Sequence, residues 1–239
     1  MKILKRLLVN GREIRMISDD IRLNLYSPGR ATFTVQSDTP LSGVLEYDAG
    51  WSDAKTYRYF TGYIEHSTTI NNIQQSLFCR ELTATLNSAT YLGLRNVTFK
   101  DVLTTVGELS GLRFVLPDSG DYVSKQSPYV YHLGTGYQIM DQLGLLYGVS
   151  NYIWYQLPDG SVYAGSYEDT AWNTKKVMIP DNVFTKHLST CSASLPMSPA
   201  LRPGIKFNRG IIESSQIMGE TMVIKWTHSA DLFKGTSLN

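Results

Sequence analysis

The sequence predicts an α+β fold that is mainly β, in which a strand-rich opening segment is followed by a small α/β insert and a return to strands. Three observations carry this prediction. Apolar residues alternate with polar ones through the first 85 positions, the period of a half-buried strand. Between residues 98 and 148 two stretches change to a helical period, each stopped by a glycine and followed by a strand. Beyond residue 205 the alternation resumes at Met222, Ile224 and Trp226.

From the start, Asn10-Gly11 lies between two strand-like runs and supplies the two positive φ values of a type I′ hairpin turn. Ile21, Leu23 and Leu25 alternate, Ser27-Pro28-Gly29-Arg30 turns the chain, and Ala31, Phe33 and Val35 alternate again. Further strands are expected at Val44 to Tyr47, Tyr57 to Thr68 and Ile73 to Leu82, with Asp48 to Ala54 as a polar loop. That makes about six or seven strands by residue 85, enough for a small barrel or sandwich.

The stretch from Leu77 to Pro117 marks the change of period. Thr98 is placed to cap a helix with Asp101 reaching back to it, and Phe99, Val102, Leu103, Val106 and Leu109 form one stripe before Gly111. Leu112 to Leu116 then reads as a strand ended by Pro117-Asp118-Ser119-Gly120. The unit recurs: Tyr129 to Leu133 is strand-like, and Thr135 caps a second helix bearing Ile139, Met140, Leu143, Leu146 and Tyr147. Gly148 ends it, Val149 to Leu157 continues as a strand, and Pro158-Asp159-Gly160 turns that strand into Ser161 to Ser166. The last strands, Lys206-Phe207, Ile211-Ile212 and Met222 to Trp226, follow a proline-rich run from Leu195 to Pro203 and reverse at Met218-Gly219-Glu220. This final segment is too short for an independent barrel and is expected to complete its sheet with the first region or with a neighbouring subunit.

Composition narrows the function classes. The chain has 239 residues, 42% hydrophobic and 11% aromatic, ample for packed cores. Its 22 Lys and Arg against 21 Asp and Glu give no overall basic field for nucleic acid or anionic lipid. Lys5 and Arg6 interrupt the apolar run at the N-terminus, so it reads as a strand rather than a signal peptide, and no apolar run is long enough for a membrane-spanning helix. Cys79 and Cys191 lack partners at metal spacing and read as two unrelated thiols, with a reducing cytoplasm as the folding compartment.

His66, His132, His187 and His228 are isolated, so a metal site would need ligands from distant segments. The acidic pairs Glu46/Asp48, Asp118/Asp121 and Glu168/Asp169 have the residue types of a glycosidase acid and base, but fall in or beside turns where carboxylates are commonly solvated. Gly134-Thr135-Gly136 follows a strand and opens a helix, yet lacks the third glycine of a dinucleotide loop, so capping is the favoured reading. Tyrosine is in excess at 15 residues, and Asn151-Tyr152-Ile153-Trp154-Tyr155 beside Tyr163 and Tyr167 concentrates aromatics on one hairpin. Cross-strand packing against the second helix is favoured there over a protein contact or a sugar platform.

The Phe60-Thr61-Gly62-Tyr63-Ile64 strand, Arg80-Glu81-Leu82, the Thr98-Phe99-Lys100-Asp101-Val102-Leu103 helix opening and Leu201-Arg202-Pro203-Gly204 together resemble phage tail hub proteins. These are the baseplate centre of long-tailed phages, shared with contractile injection systems, and the resemblance spans most of the chain. It implies tail-tube-like β-barrels with an inserted small α/β domain: a first barrel over 1–85, the insert over 86–175, and a second, shortened barrel region over 176–239. It also implies a homotrimer that presents a pseudo-sixfold ring to the tail tube or distal tail protein above and a threefold face to a tail-tip, spike or fibre protein below. Phage DNA would pass through the lumen without specific binding, and the protein would be a structural virion component assembled in the bacterial host cytoplasm. On this reading there are no catalytic, cofactor-binding or metal residues, no cofactor and no membrane anchor. The alternative is a tail-associated cell-wall hydrolase or carbohydrate-binding tail-tip protein that uses the acidic and aromatic residues of the insert.

Overall fold

A computed structural model describes residues 2–52, 55–118, 120–174 and 177–228. The first segment holds β1 (Ile3–Val9), β2 (Arg12–Ile14), β3 (Met16–Asn24), β4 (Arg30–Gln36), β5 (Gly43–Trp51), β6 (Tyr57–Asn71) and β7 (Gln74–Glu81). The middle follows a 3₁₀ turn, Leu82–Asn87, with β8 (Ala89–Thr98), α1 (Phe99–Ser110), β9 (Phe114–Val115), β10 (Gln126–Thr135), α2 (Gly136–Tyr147), β11 (Tyr152–Gln156) and β12 (Val162–Ser166). The last segment holds β13 (Lys186–Ser189), β14 (Ser192–Pro196), β15 (Lys206–Phe207), β16 (Gly210–Met218) and β17 (Thr221–Thr227). The mainly β, α+β architecture is as the sequence predicts.

Strands of the first and last segments form one twelve-stranded antiparallel sheet, in the order β13-β14-β17-β16-β3-β4-β7-β6-β5-β1-β2 with β15 on β16. The join is the pairing of Ser214–Met218 with Asn24–Asp20, so the last strands complete their sheet within the same chain. Alternation drives this assembly. Ile21 and Leu23 of β3, Ala31, Phe33 and Val35 of β4, and Leu77 and Cys79 of β7 all turn to one face. They share a core with Ile217, Met222, Ile224 and Trp226 from the last segment. The hairpin at Asn10 (φ 50°) and Gly11 (φ 78°) forms as its dipeptide demands.

The middle segment has its own core. Phe99, Val102, Leu103 and Val106 of α1 pack with Ile139, Met140, Leu143 and Tyr147 of α2, over Leu92, Val130, Tyr152 and Trp154 of the strands. Both helices begin with reciprocal capping, predicted in full for Thr98 with Asp101 and only as a cap by Thr135 in α2, where Gln138 reaches back; both end at a glycine in the left-handed region, Gly111 (φ 74°) and Gly148 (φ 66°).

Several boundaries differ from expectation. β5 runs on through Asp48 to Trp51 because it pairs with the start of β1, and Asp48 is neutralised in the sheet by Arg6 and Arg58. Asp53 and Ala54 of the expected loop lie outside the described residues. The Leu112 to Leu116 strand shrinks to two residues, since only those pair with β12. β8 was not anticipated, and it forms because β10 supplies a complete antiparallel partner. β13 and β14 are strands that were not individually expected ahead of the proline-rich run, Pro196 being tolerated as the final residue of β14. Leu109 and Leu146 leave the predicted stripes and are 60% and 40% exposed, because neither helix is covered along the full width of its apolar face.

Candidate assembly surfaces

Three segments meet at one buried joint. Arg202, from the Leu201-Arg202-Pro203-Gly204 stretch, donates to the carbonyl of Tyr59 and, at 3.4 Å, to that of Gln156. Its guanidinium lies 3.7 Å from Glu81 and over the Tyr59 ring. Glu81 at the end of β7 accepts from the Gly29 amide at 2.6 Å. Gln156 completes the joint, donating to the Thr61 carbonyl at 2.7 Å and accepting from the Thr83 amide at 3.0 Å. Burial pushes the Glu81 carboxyl up to about 7, against the opposing pull of Arg202 and the Gly29 N–H. Burial likewise lowers the Arg202 guanidinium from its ordinary value, with Glu81 opposing. A charge pair this enclosed fixes how the middle and last segments sit on the first, because leaving either member unpaired is costly.

A second buried charge lies at the mouth of a cleft of about 720 Å³ between β1, β3 and the β16–β17 turn. Lys5 donates to both Asp19 oxygens at 2.7 and 2.9 Å and to the Gly219 carbonyl at 2.6 Å. Tyr47 donates to Asp19 at 3.3 Å, and burial followed by the Asp19 charge pushes its phenol far above the ordinary range. In the sequence Lys5 reads only as a break in an apolar run. Its signal was its place in the inward series Ile3, Lys5, Leu7, Val9, where a charge demands a buried partner.

The sheet ends in two free strands. Among the described residues β2 pairs with β1 alone and β13 with β14 alone, so each presents backbone groups without a strand partner there. Every residue of β13 is exposed, Leu188 at 51%, and β2 carries Arg12 and Glu13 on its exposed positions. Such edges are what a strand from another chain pairs with.

The residues singled out for chemistry are dispersed. His66 stacks on Phe78, His187 leans on Phe184, His228 is exposed, and buried His132 lies 3.0 Å from the Thr135 carbonyl. Among the described residues no group of three or more His, Cys, Asp or Glu is arranged to hold a metal. Glu46 and Asp48 are both occupied by Arg58. Glu168 accepts from Asn151 at 2.9 Å and Asp169 from Tyr122 at 2.8 Å, while Asp118 and Asp121 are exposed around a turn. Gly134-Thr135-Gly136 caps α2, as the missing third glycine suggested. Tyr152, Trp154, Tyr155, Tyr163 and Tyr167 are all buried, so that hairpin is packing rather than a platform. Cys79 is buried and Cys191 half-buried, both free, and burial pushes the Cys79 thiol up to about 12.

No family model matches the chain. It is 28% identical over 225 residues to an uncharacterized 58.7 kDa protein from the lys 3′ region of Haemophilus phage HP1, an alignment covering 94% of this chain and 42% of that relative. The chain thus spans less than half the length of the phage protein it matches. Among solved structures it superposes on the 43 kDa tail protein of prophage MuSo2 from Shewanella oneidensis with a TM-score of 0.68, at 10% identity, over 97% of this chain and 99% of that one. A tail protein from Neisseria meningitidis MC58 gives 0.64 at 12% identity, covering 94% and 96% of the two chains. The E. coli c3393 protein, described as a type VI secretion component structurally similar to phage T4 gp27 and gp5, gives 0.59 at 12% identity over 94% and 78%. The chain has the fold of these tail proteins, which bears out the resemblance carried by the Phe60–Ile64 strand, the α1 opening and the Leu201–Gly204 stretch.

Proposed function

We propose that this protein is a structural component of a phage tail, placed at the hub or baseplate centre. The observation that carries the reading is the end-to-end match of its fold to tail proteins, with 97% of this chain superposed on 99% of the MuSo2 protein. The similarity to a phage HP1 protein points to the same setting.

In this reading three copies close around a lumen. The two free edges, β2 at one end of the sheet and β13 at the other, suit heterologous contacts in which one end of a subunit meets the other end of its neighbour. Closing the ring removes edges that would otherwise template aggregation. The ring joins the tail tube or distal tail protein above to a tip, spike or fibre protein below. A formal net charge of +1 suits a conduit for DNA, because a strongly basic wall would hold phosphates through many counterion-releasing contacts. The division into 1–85, 86–175 and 176–239 belongs to the same proposal: two tube-facing regions and an insert held to them at the Glu81–Arg202 joint.

The test is genetic and biochemical. A phage whose gene for this chain carries an early stop is expected to yield no complete tails, and antibody against the chain to label one end of wild-type tails. Normal tails without the chain, or label along the whole tube, would refute the placement. Release of soluble sugar from purified peptidoglycan by the pure protein would instead support a hydrolase.

A further inference from the structure

Among the described residues β8 and β10 pair only with each other, and their inner face, with Leu92, Leu94 and Val130, covers the helical core. The outer face is apolar as well. Tyr91, Tyr129, Tyr131 and Leu133 are 68%, 50%, 61% and 63% exposed, and cross-strand register sets Tyr129 opposite Arg95, Tyr131 opposite Gly93 and Leu133 opposite Tyr91. With roughly 150 to 250 Å² per large aromatic, these four side chains leave about 400 to 500 Å² bare, the size of the largest patch on a typical monomer and often functional.

We propose that this face docks a different tail protein, one presenting an apolar side chain beside a carboxylate. The inference rests on the tail reading above and adds a surface to it. Residue type favours protein: three of the four exposed side chains are tyrosines, with Arg95 beside them, and Tyr and Arg are the types enriched at protein interfaces and their hot spots. Beside them, a Cβ added at Gly93 would meet nothing within 4 Å, so the centre of the ladder is open to a partner's apolar side chain. Charge selects the kind of protein. Arg95 is exposed and has no ion-pair partner among the described residues, and none of the outward residues, Ala89, Gln126 and the six of the ladder, is acidic. A second copy docked face to face would bring an acid-free surface against Arg95, whereas a partner carboxylate would pair with it at the rim of a buried patch. The patch area supplies about half of the 800 Å² per partner of a standard interface, leaving the polar rim to the rest.

The experiment replaces Tyr131 with the photo-crosslinker p-benzoylphenylalanine in the full chain, in host cells producing the phage, with Tyr57 replaced in parallel as an exposed control. Purified tails are irradiated and the products identified by mass spectrometry. The expected result is one crosslink from position 131 to a different tail polypeptide, at a segment with Asp or Glu next to an apolar residue. Arg95→Glu should lower its yield roughly tenfold, and a Lys at that partner acid should restore it. Normal thermal unfolding of Arg95→Glu shows that lost yield is lost docking. Crosslinks between copies of this chain, or none in tails that contain it, overturn the proposal. Tails that lack the chain altogether overturn the tail reading itself, and this docking with it.

Discussion

Glu81 and Arg202 are buried together where three segments meet, and their chemistry makes the fold sensitive to pH in a direction opposite to that of an exposed salt bridge. Burial raises the folded Glu81 carboxyl to about 7 from an ordinary 4.5, so the folded state holds the proton more tightly than the unfolded one. Its contribution to stability is full below pH 4.5 and is lost as pH rises through 7. Thermal unfolding followed from pH 5 to pH 8 should therefore show a declining midpoint, and Glu81→Gln should flatten the decline. Arg202→Met should destabilise by about 3 to 5 kcal/mol at pH 8, the range for stranding one member of a buried pair, and by less at pH 5, where Glu81 can take up a proton. An equal loss at both pH values would contradict the joint. At the cleft, Lys5→Ala should cost a similar few kcal/mol in urea unfolding by leaving the buried Asp19 without its counter-charge. Lys5 and Arg202 show how far residue-level reading reaches. Alternation announces that Lys5 points inward, but no local pattern says that Asp19, or Glu81 more than a hundred positions from Arg202, will be there to meet it.

The helices were the most legible elements because their signals are local. Cap, stripe and stop all lie within about four turns; cap and stop are met at their expected residues in α1 and α2, and the stripe at all but Leu109 and Leu146. Thr98→Ala and Thr135→Ala should each cost about 1 kcal/mol, measured by chemical unfolding, as the loss of one capping bond. Val102→Asp should cost several kcal/mol, since it buries a charge without a partner in a fully enclosed position, and an unchanged midpoint would remove that assignment. Strands were legible where a turn dipeptide or a clean alternation marked them, as at Asn10-Gly11 and Ile21 to Val35. They were not where pairing is decided at a distance. β8 presents apolar residues on both faces, so its period points to no single core, whereas its partner β10 was read as a strand at Tyr129 to Leu133; β14 is a strand because β17 lies beside it. Asp48 to Trp51 read as loop because its acidic and glycine residues are turn-formers, and β1 overrode that preference.

At the scale of the molecule, the sheet joining first and last segments is the feature on which the proposed assembly depends. The β16–β3 pairing makes one continuous surface with a free strand at each end, which lets a single chain hand one edge to each of two neighbours. The sequence indicated that the last strands needed partners, but pairing within one chain and pairing between chains leave the same apolar alternation, so the choice between them was not legible. Leu188→Asp, on the exposed edge strand β13, is expected to change unfolding stability by no more than about 0.5 kcal/mol, as surface substitutions generally do, while abolishing subunit association in sedimentation. The most direct test of the ring is the rotational symmetry of the purified protein, or of the tail end that carries it, in electron-microscopic class averages. Closure by three copies around an opening predicts threefold averages with a central channel; single globules without an opening at assembly concentrations, or a sixfold ring, would contradict it.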